Sequence, residues 1–235
     1  MSPMLILKSA RAVALIAAAI ALQASAATGA SITEVKTGRP DLTVFLLDGA
    51  IVGGETLNLQ GLISKLPVNT SVAMLLNSPG GSLDEGLKLG RFFHQARLPT
   101  FVRGYGGGCH SACSLAFLGG RDKTGRPSRT KMSSGALGFH QFRSVRSTAD
   151  NEKKYTKADV EQEVLRTRFV ALKIIEYLSD IGEEMSPLHL MLKAPAAEMN
   201  FISNEEALTY GINVMNEKTE QVIDSSSIKA RIGAR

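Results

Sequence analysis

The chain has no tryptophan, two cysteines, four histidines and only 6% aromatic residues among its 235. Two cysteines exclude a small fold stapled by several disulfides. His110 with Cys109 and Cys113 makes a local group of three donors without a fourth, so no metal site is expected, and no other cofactor. Only one long apolar run is present, Ala12–Leu22, and it falls short of the roughly 20 residues that span a bilayer. Gly120-Arg121-Asp122-Lys123-Thr124-Gly125-Arg126 lacks the Gly-Lys-Ser/Thr ending of a phosphate loop. The net charge of +5 is too modest to argue for a nucleic-acid partner. What is present is an ordinary globular composition, 44% hydrophobic and 21% charged, which excludes disorder and coiled-coil arrays as the main organisation.

The apolar run has a context. Lys8 and Arg11 precede it and the small residues Ala24-Ser25-Ala26 follow, the three-part pattern of a secretory signal. Residues 1–26 are therefore expected to be a signal peptide, with cleavage near Ala26 and a periplasmic or secreted product; retention as an uncleaved anchor is the alternative. Cleavage removes two basic residues and no acid, so part of the positive charge is targeting. Export also places the product away from ATP, and an ATP-driven unfoldase is not expected as a partner.

Beyond a linker at 27–41, apolar runs and turn residues alternate. Leu42–Leu47, Ser71–Leu76, Thr100–Val102, Ala136–Gln141 and Ile212–Met215 read as strands. Glu55–Leu66, the segment after Ser82, Ser111–Leu118, Asp159–Ser179, a short piece between Pro187 and Pro195, and the segment after Ser203 read as helices. Val160, Val164, Leu165, Phe169, Leu172, Ile175 and Leu178 recur at three- and four-residue steps along the longest of these. Strand–helix alternation predicts an α/β domain with a parallel sheet over 42–216, followed by a polar tail at 217–235. Arg143–Lys157 is the expected flexible boundary, and Arg121, Lys123, Arg126, Arg129 and Lys131 an expected solvated basic face.

Three pieces bear on chemistry. Pro79-Gly80-Gly81 follows a buried strand, where glycine lets another group approach the backbone closely. Ser111 stands where the glycine run 106–108 enters a helix; its hydroxyl suits a helix N-cap or a nucleophile. His140 ends an apolar strand and is either structural or a base for Ser111, since a serine hydroxyl needs a base at neutral pH. Cys109 and Cys113 flank the serine at a spacing of four, compatible with a disulfide and equally with two small buried thiols.

The ordered set Asn77-Ser78-Pro79-Gly80-Gly81-Ser82, then Ser111 opening Ser-Ala-Cys-Ser-Leu-Ala-Phe-Leu-Gly-Gly, then Phe139-His140-Gln141, resembles the Clp protease proteolytic subunit family of the Clp/crotonase superfamily. Ala158-Asp159-Val160-Glu161 opens a helix like that family's handle helix, and Phe201-Ile202-Ser203 with Tyr210-Gly211 resembles its closing segment. The resemblance implies stacked βα units with a long C-terminal handle-type helix and self-association into an oligomer. It makes Ser111 the nucleophile and His140 the base, with the Gly80 and Ala112 N–H groups as oxyanion hole and Pro79 and Gly81 against an extended peptide or protein substrate. The family's orienting Asp is missing: the equivalent position is Pro195, and Glu198 is the substitute candidate, failing which a Ser–His dyad remains. The resemblance thus implies an exported serine-type peptidase. A catalytically silent member that binds peptides or a partner protein is the alternative, and acyl-CoA chemistry of the crotonase kind a further rival.

Overall fold

The computed structural model of the protein describes residues 29–141, 156–195 and 198–226. The signal-peptide expectation and nearly all of the Arg143–Lys157 boundary lie outside them, as does the end of the tail. Elements run in the order β1 (Ser31–Val35), β2 (Leu42–Asp48), α1 (Glu55–Ile63), β3 (Ser71–Asn77), α2 (Leu83–Gln95), β4 (Thr100–Val102), β5 (Gly108–His110), α3 (Ala112–Leu118), β6 (Arg129–Met132), β7 (Ala136–Phe139), α4 (Lys157–Asp180), α5 (Ser186–Leu192), β8 (Asn200–Phe201), α6 (Asn204–Thr209), β9 (Asn213–Met215) and β10 (Val222–Ile223).

Seven strands form one sheet in the order β1-β2-β3-β4-β6-β9-β10. Its interior pairs, β2 to β3, β3 to β4, β4 to β6 and β6 to β9, are all parallel, and both edges are closed by an antiparallel strand. Those edge strands, β1 and β10, fall in the expected linker and the expected polar tail. Edge strands half-exposed to water carry no long apolar run, so composition does not reveal them. The fold is α/β with a mostly parallel sheet, as the alternation predicts.

One sheet face is packed. Phe45, Leu47, Met74, Leu76 and Val102 join Leu59, Leu89, Phe93, Leu115 and Phe117 in a single apolar core. Burying one such side chain contributes about 1.5–3 kcal/mol. Helix α2 carries Gly86 and Gly90 toward its neighbours, and a Cβ on Gly86 would lie 2.6 Å from the Ala112 carbonyl oxygen, so the helices meet nearly backbone to backbone. On the other face Val44, Leu75, Phe101, Met132 and Met215 line a cavity of about 680 Å³.

One expectation needs correction. Arg121, Arg129 and Lys131 are buried, not on a solvated face. Arg129 Nη1 lies 2.6 Å from Glu183 Oε2, Arg121 donates to the carbonyls of Leu118, Gly120 and Ile181, and Lys131 Nζ donates to Asn204 Oδ1 at 2.6 Å. A basic, glycine-containing stretch looks like a surface loop until carboxylates and carbonyls from distant segments supply its partners. The apolar stripe of α4 is mostly not core. Ile174, Tyr177 and Leu178 are buried at its C-terminal end, whereas Leu165 and Phe169 are 63% and 59% exposed.

Candidate active site

The second sheet, β5-β7-β8, builds the site. β5 and β7 run parallel with Cys109 opposite Leu137 and His110 opposite Gly138, so Ser111 and His140 leave the same end of the sheet side by side. The Ser111 N–H donates to Gly138 O at 3.1 Å, extending the ladder into the turn. Ser111 Oγ then lies 2.7 Å from His140 Nε2. Ser111 occupies the N-cap position of α3, but its side chain makes no cap bond and is turned to His140 instead.

Ser111 has φ 58° and ψ −121°, a conformation rarely adopted by a residue with a side chain. Such a residue costs on the order of 1–3 kcal/mol and persists only where its surroundings enforce it. Three bonds or links do so here. Ser114, wholly buried on α3, shares its hydroxyl between Cys109 O and Gly138 O at 2.9 and 2.5 Å, tying the helix to both strands. Cys109 and Cys113 form a disulfide across the serine, their Cα atoms 5.2 Å apart. Of the two possibilities that the spacing left open, the bridge is the one adopted.

The glycine turn is delivered to this point by backbone pairing. The Ser78 N–H donates to Gly108 O at 2.7 Å and the His110 N–H to Ser78 O at 3.0 Å, so the chain after β3 runs beside β5. Asn77 secures the junction, accepting from the Gly108 N–H at 3.0 Å and donating to Asp48 at 2.7 Å. Gly80 therefore lies against Ser111: a Cβ on it would stand 2.7 Å from the Ser111 Cβ and 3.0 Å from the Ala112 nitrogen.

The two N–H groups expected at the oxyanion differ in their partners. Ala112 opens α3, and its N–H has no protein acceptor among the described residues. The Gly80 N–H instead donates to Ser78 Oγ at 3.0 Å. The Gly81 N–H is the donor left free in this turn among the described residues, because the bridge to Ile51 uses the Gly80 carbonyl and the Ser82 N–H. The sequence points to the right turn but not to which N–H its neighbours occupy. Pro79 and Gly81 are both exposed there.

The third member is not assembled. Glu198 is exposed, its N–H donates to Pro195 O, and no hydrogen bond or ion pair joins it to His140 among the described residues. Neither does any other described carboxylate meet the ring. His110, adjacent to the serine in sequence, is turned away from it. Burial lowers its basicity, its Nε2 has no partner, and its ring meets Phe201 edge-on with centroids 5.2 Å apart. The residues missed by sequence reasoning are Asn77, Ser78 and Ser114; polar side chains beside Gly80 and Ser111 were the available signal.

No protein-family model matches the chain, and no curated protein matches it.

Proposed function

We propose that the protein is a serine-type hydrolase, a peptidase, on a Clp/crotonase-like fold. The observation that carries this reading is the 2.7 Å approach of His140 Nε2 to Ser111 Oγ across two parallel strands, with backbone donors alongside.

Ser111 Oγ attacks the acyl carbon of an extended peptide lying along Pro79-Gly80-Gly81. His140 Nε2 takes the hydroxyl proton as the bond forms and returns it to the leaving amine. The oxygen that gains charge accepts from the Ala112 and Gly81 N–H groups; one such donor typically contributes about 10²–10³ in rate. Water then repeats the sequence on the acyl-enzyme. No carboxylate meets His140 among the described residues, so the pair is read as a dyad, and loss of the orienting acid costs about 10⁴ in a Ser-His-Asp triad. The enzyme is accordingly slow. The exposed Val160, Leu165, Phe169 and Leu172 on α4 support self-association, and the N-terminal sequence supports export.

Hydrolysis of a fluorogenic peptide and of an activated ester tests the reading. Wild type turns over at least one, and Ser111→Ala and His140→Ala each lose at least a hundredfold. Turnover unchanged in Ser111→Ala contradicts it. The second reading, a silent protein that binds peptides in the same groove, is favoured by the lack of a carboxylate against His140 among the described residues; it predicts saturable peptide binding with no turnover.

A further inference from the structure

We infer that the Cys109–Cys113 disulfide is a positioning device for the nucleophile: it holds Ser111 in its strained conformation and is required for a working site. The inference rests on the hydrolase reading for its kinetic consequence, and on geometry alone for its structural one.

A serine on a sharp strand-to-helix turn brings the residues two before and two after it close together. The common solution is glycine at both positions, as in Gly-x-Ser-x-Gly, because glycine relieves crowding. Here the sequence is Cys109-His110-Ser111-Ala112-Cys113, and the two flanking positions are bonded to each other with their Cα atoms 5.2 Å apart. The bridge runs from β5 to the first turn of α3 and so closes the loop whose only interior residues are His110, Ser111 and Ala112. One of these is the strained nucleophile; the next carries the free N–H assigned to the oxyanion. A change in the loop's opening moves both at once.

The other supports of this loop are hydrogen bonds. Ser111 lacks the glycine that would accept φ 58° without strain, and its own side chain is committed to His140 and makes no local bond. The His110 N–H donates to Ser78 O, the Ser111 N–H to Gly138 O, the Ser111 carbonyl accepts from the Ser114 and Leu115 N–H groups, and the Ser114 hydroxyl joins Cys109 O to Gly138 O; the disulfide is the covalent tie that closes the loop end to end. Both cysteines are 0% exposed, so a thiolate from solvent cannot reach either sulfur in the folded state. The bridge is therefore a permanent clamp set during folding and not a reversible switch. In forming it the two thiols give up two protons and two electrons to a disulfide-type oxidant, which becomes a dithiol. A chain folded in a reducing compartment lacks the clamp.

The test compares wild type with C109A/C113A, and with C109V/C113A to refill the sulfur volume should the first fail to fold. Leu59→Ala, in α1 and away from the site, serves as a control for general destabilisation. The readouts are thermal melting, the rate of fluorophosphonate labelling of Ser111, and the ¹⁵N shift of His140 Nε2. In the folded double variant labelling is expected to slow at least tenfold and the His140 shift to report loss of the Ser111 hydrogen bond, while folded Leu59→Ala labels at the wild-type rate. Labelling at the wild-type rate in a folded double variant overturns the inference. If wild type takes no label, the hydrolase reading fails, and the clamp is then judged on His140 alone: a shift that differs between wild type and double variant supports it, and an unchanged one overturns it.

Discussion

Gly80 and Ser111, on segments joined by the backbone pairing of Ser78 with β5 and by the Asn77 side chain, stand so close that a methyl group on the glycine would lie 2.7 Å from the serine Cβ. Gly80 also has φ 90° and would direct that methyl to within 2.5 Å of His110 O. Gly80→Ala should therefore push the turn away from Ser111. The expected result is a loss of roughly 1–3 kcal/mol in stability from the strained backbone, with labelling of Ser111 abolished. Chemical denaturation and fluorophosphonate labelling check the two parts separately.

Tyr177 fastens the long helix to the helix that begins at the nucleophile. Its hydroxyl donates to Leu115 O at 2.6 Å in a fully buried setting, which also holds its ionisation far above the ordinary range. Tyr177→Phe leaves that carbonyl without its partner and should cost about 1–3 kcal/mol. For a chain of this size that lowers Tm by roughly 2–4 °C per kcal/mol, measurable by calorimetry.

Glu183 is the acid that meets the buried Arg129 guanidinium. Glu183→Ala strands that charge beside Arg121, which is also buried, and should cost about 3–5 kcal/mol, more than any surface pair in the molecule. Asp180→Ala, which breaks the exposed pair with Arg91, is the comparison and should change stability by less than about 1 kcal/mol. Equal effects in denaturant titrations would contradict the assignment.

Glu217 gives a pH dependence. Partial burial works to raise its pKa, but hydrogen bonds from Ser133 and Ser134 outweigh that and hold it at about 2. Because the folded value lies below the ordinary carboxylate value, its stabilisation is present above about pH 4.5 and is lost as pH falls towards 2. Glu217→Gln should lower stability at pH 7 and flatten the acid limb of a stability–pH profile, so that variant and wild type converge as pH falls towards 2.

Much of the sheet and its helices is legible in the sequence because periodicity and turn chemistry act locally. β2, β3, β4, α3 and α6 fall where apolar runs, Pro99, Gly119 and the Ser203–Glu206 capping box put them. What is missed depends on partners remote in the chain. β5 is three residues of glycine, cysteine and histidine and is a strand only because Ser78 and β7 flank it. β6 buries three charged or polar residues that only Glu183 and Asn204 make tolerable. Within the candidate site, Ser111, His140 and Ala112 are legible through the family resemblance that the ordered motifs carry. The occupied Gly80 N–H, and the lack of a carboxylate against His140 among the described residues, are not, since each depends on which side chains lie nearby after folding.

The claim on which the account turns is that His140 makes Ser111 nucleophilic. Treating the purified protein with a fluorophosphonate and mapping the adduct by mass spectrometry tests it most directly. The account predicts a single modified serine, Ser111, with modification slowed at least a hundredfold in His140→Ala. Modification at another residue, or an adduct on Ser111 that forms as fast without the imidazole, would contradict it.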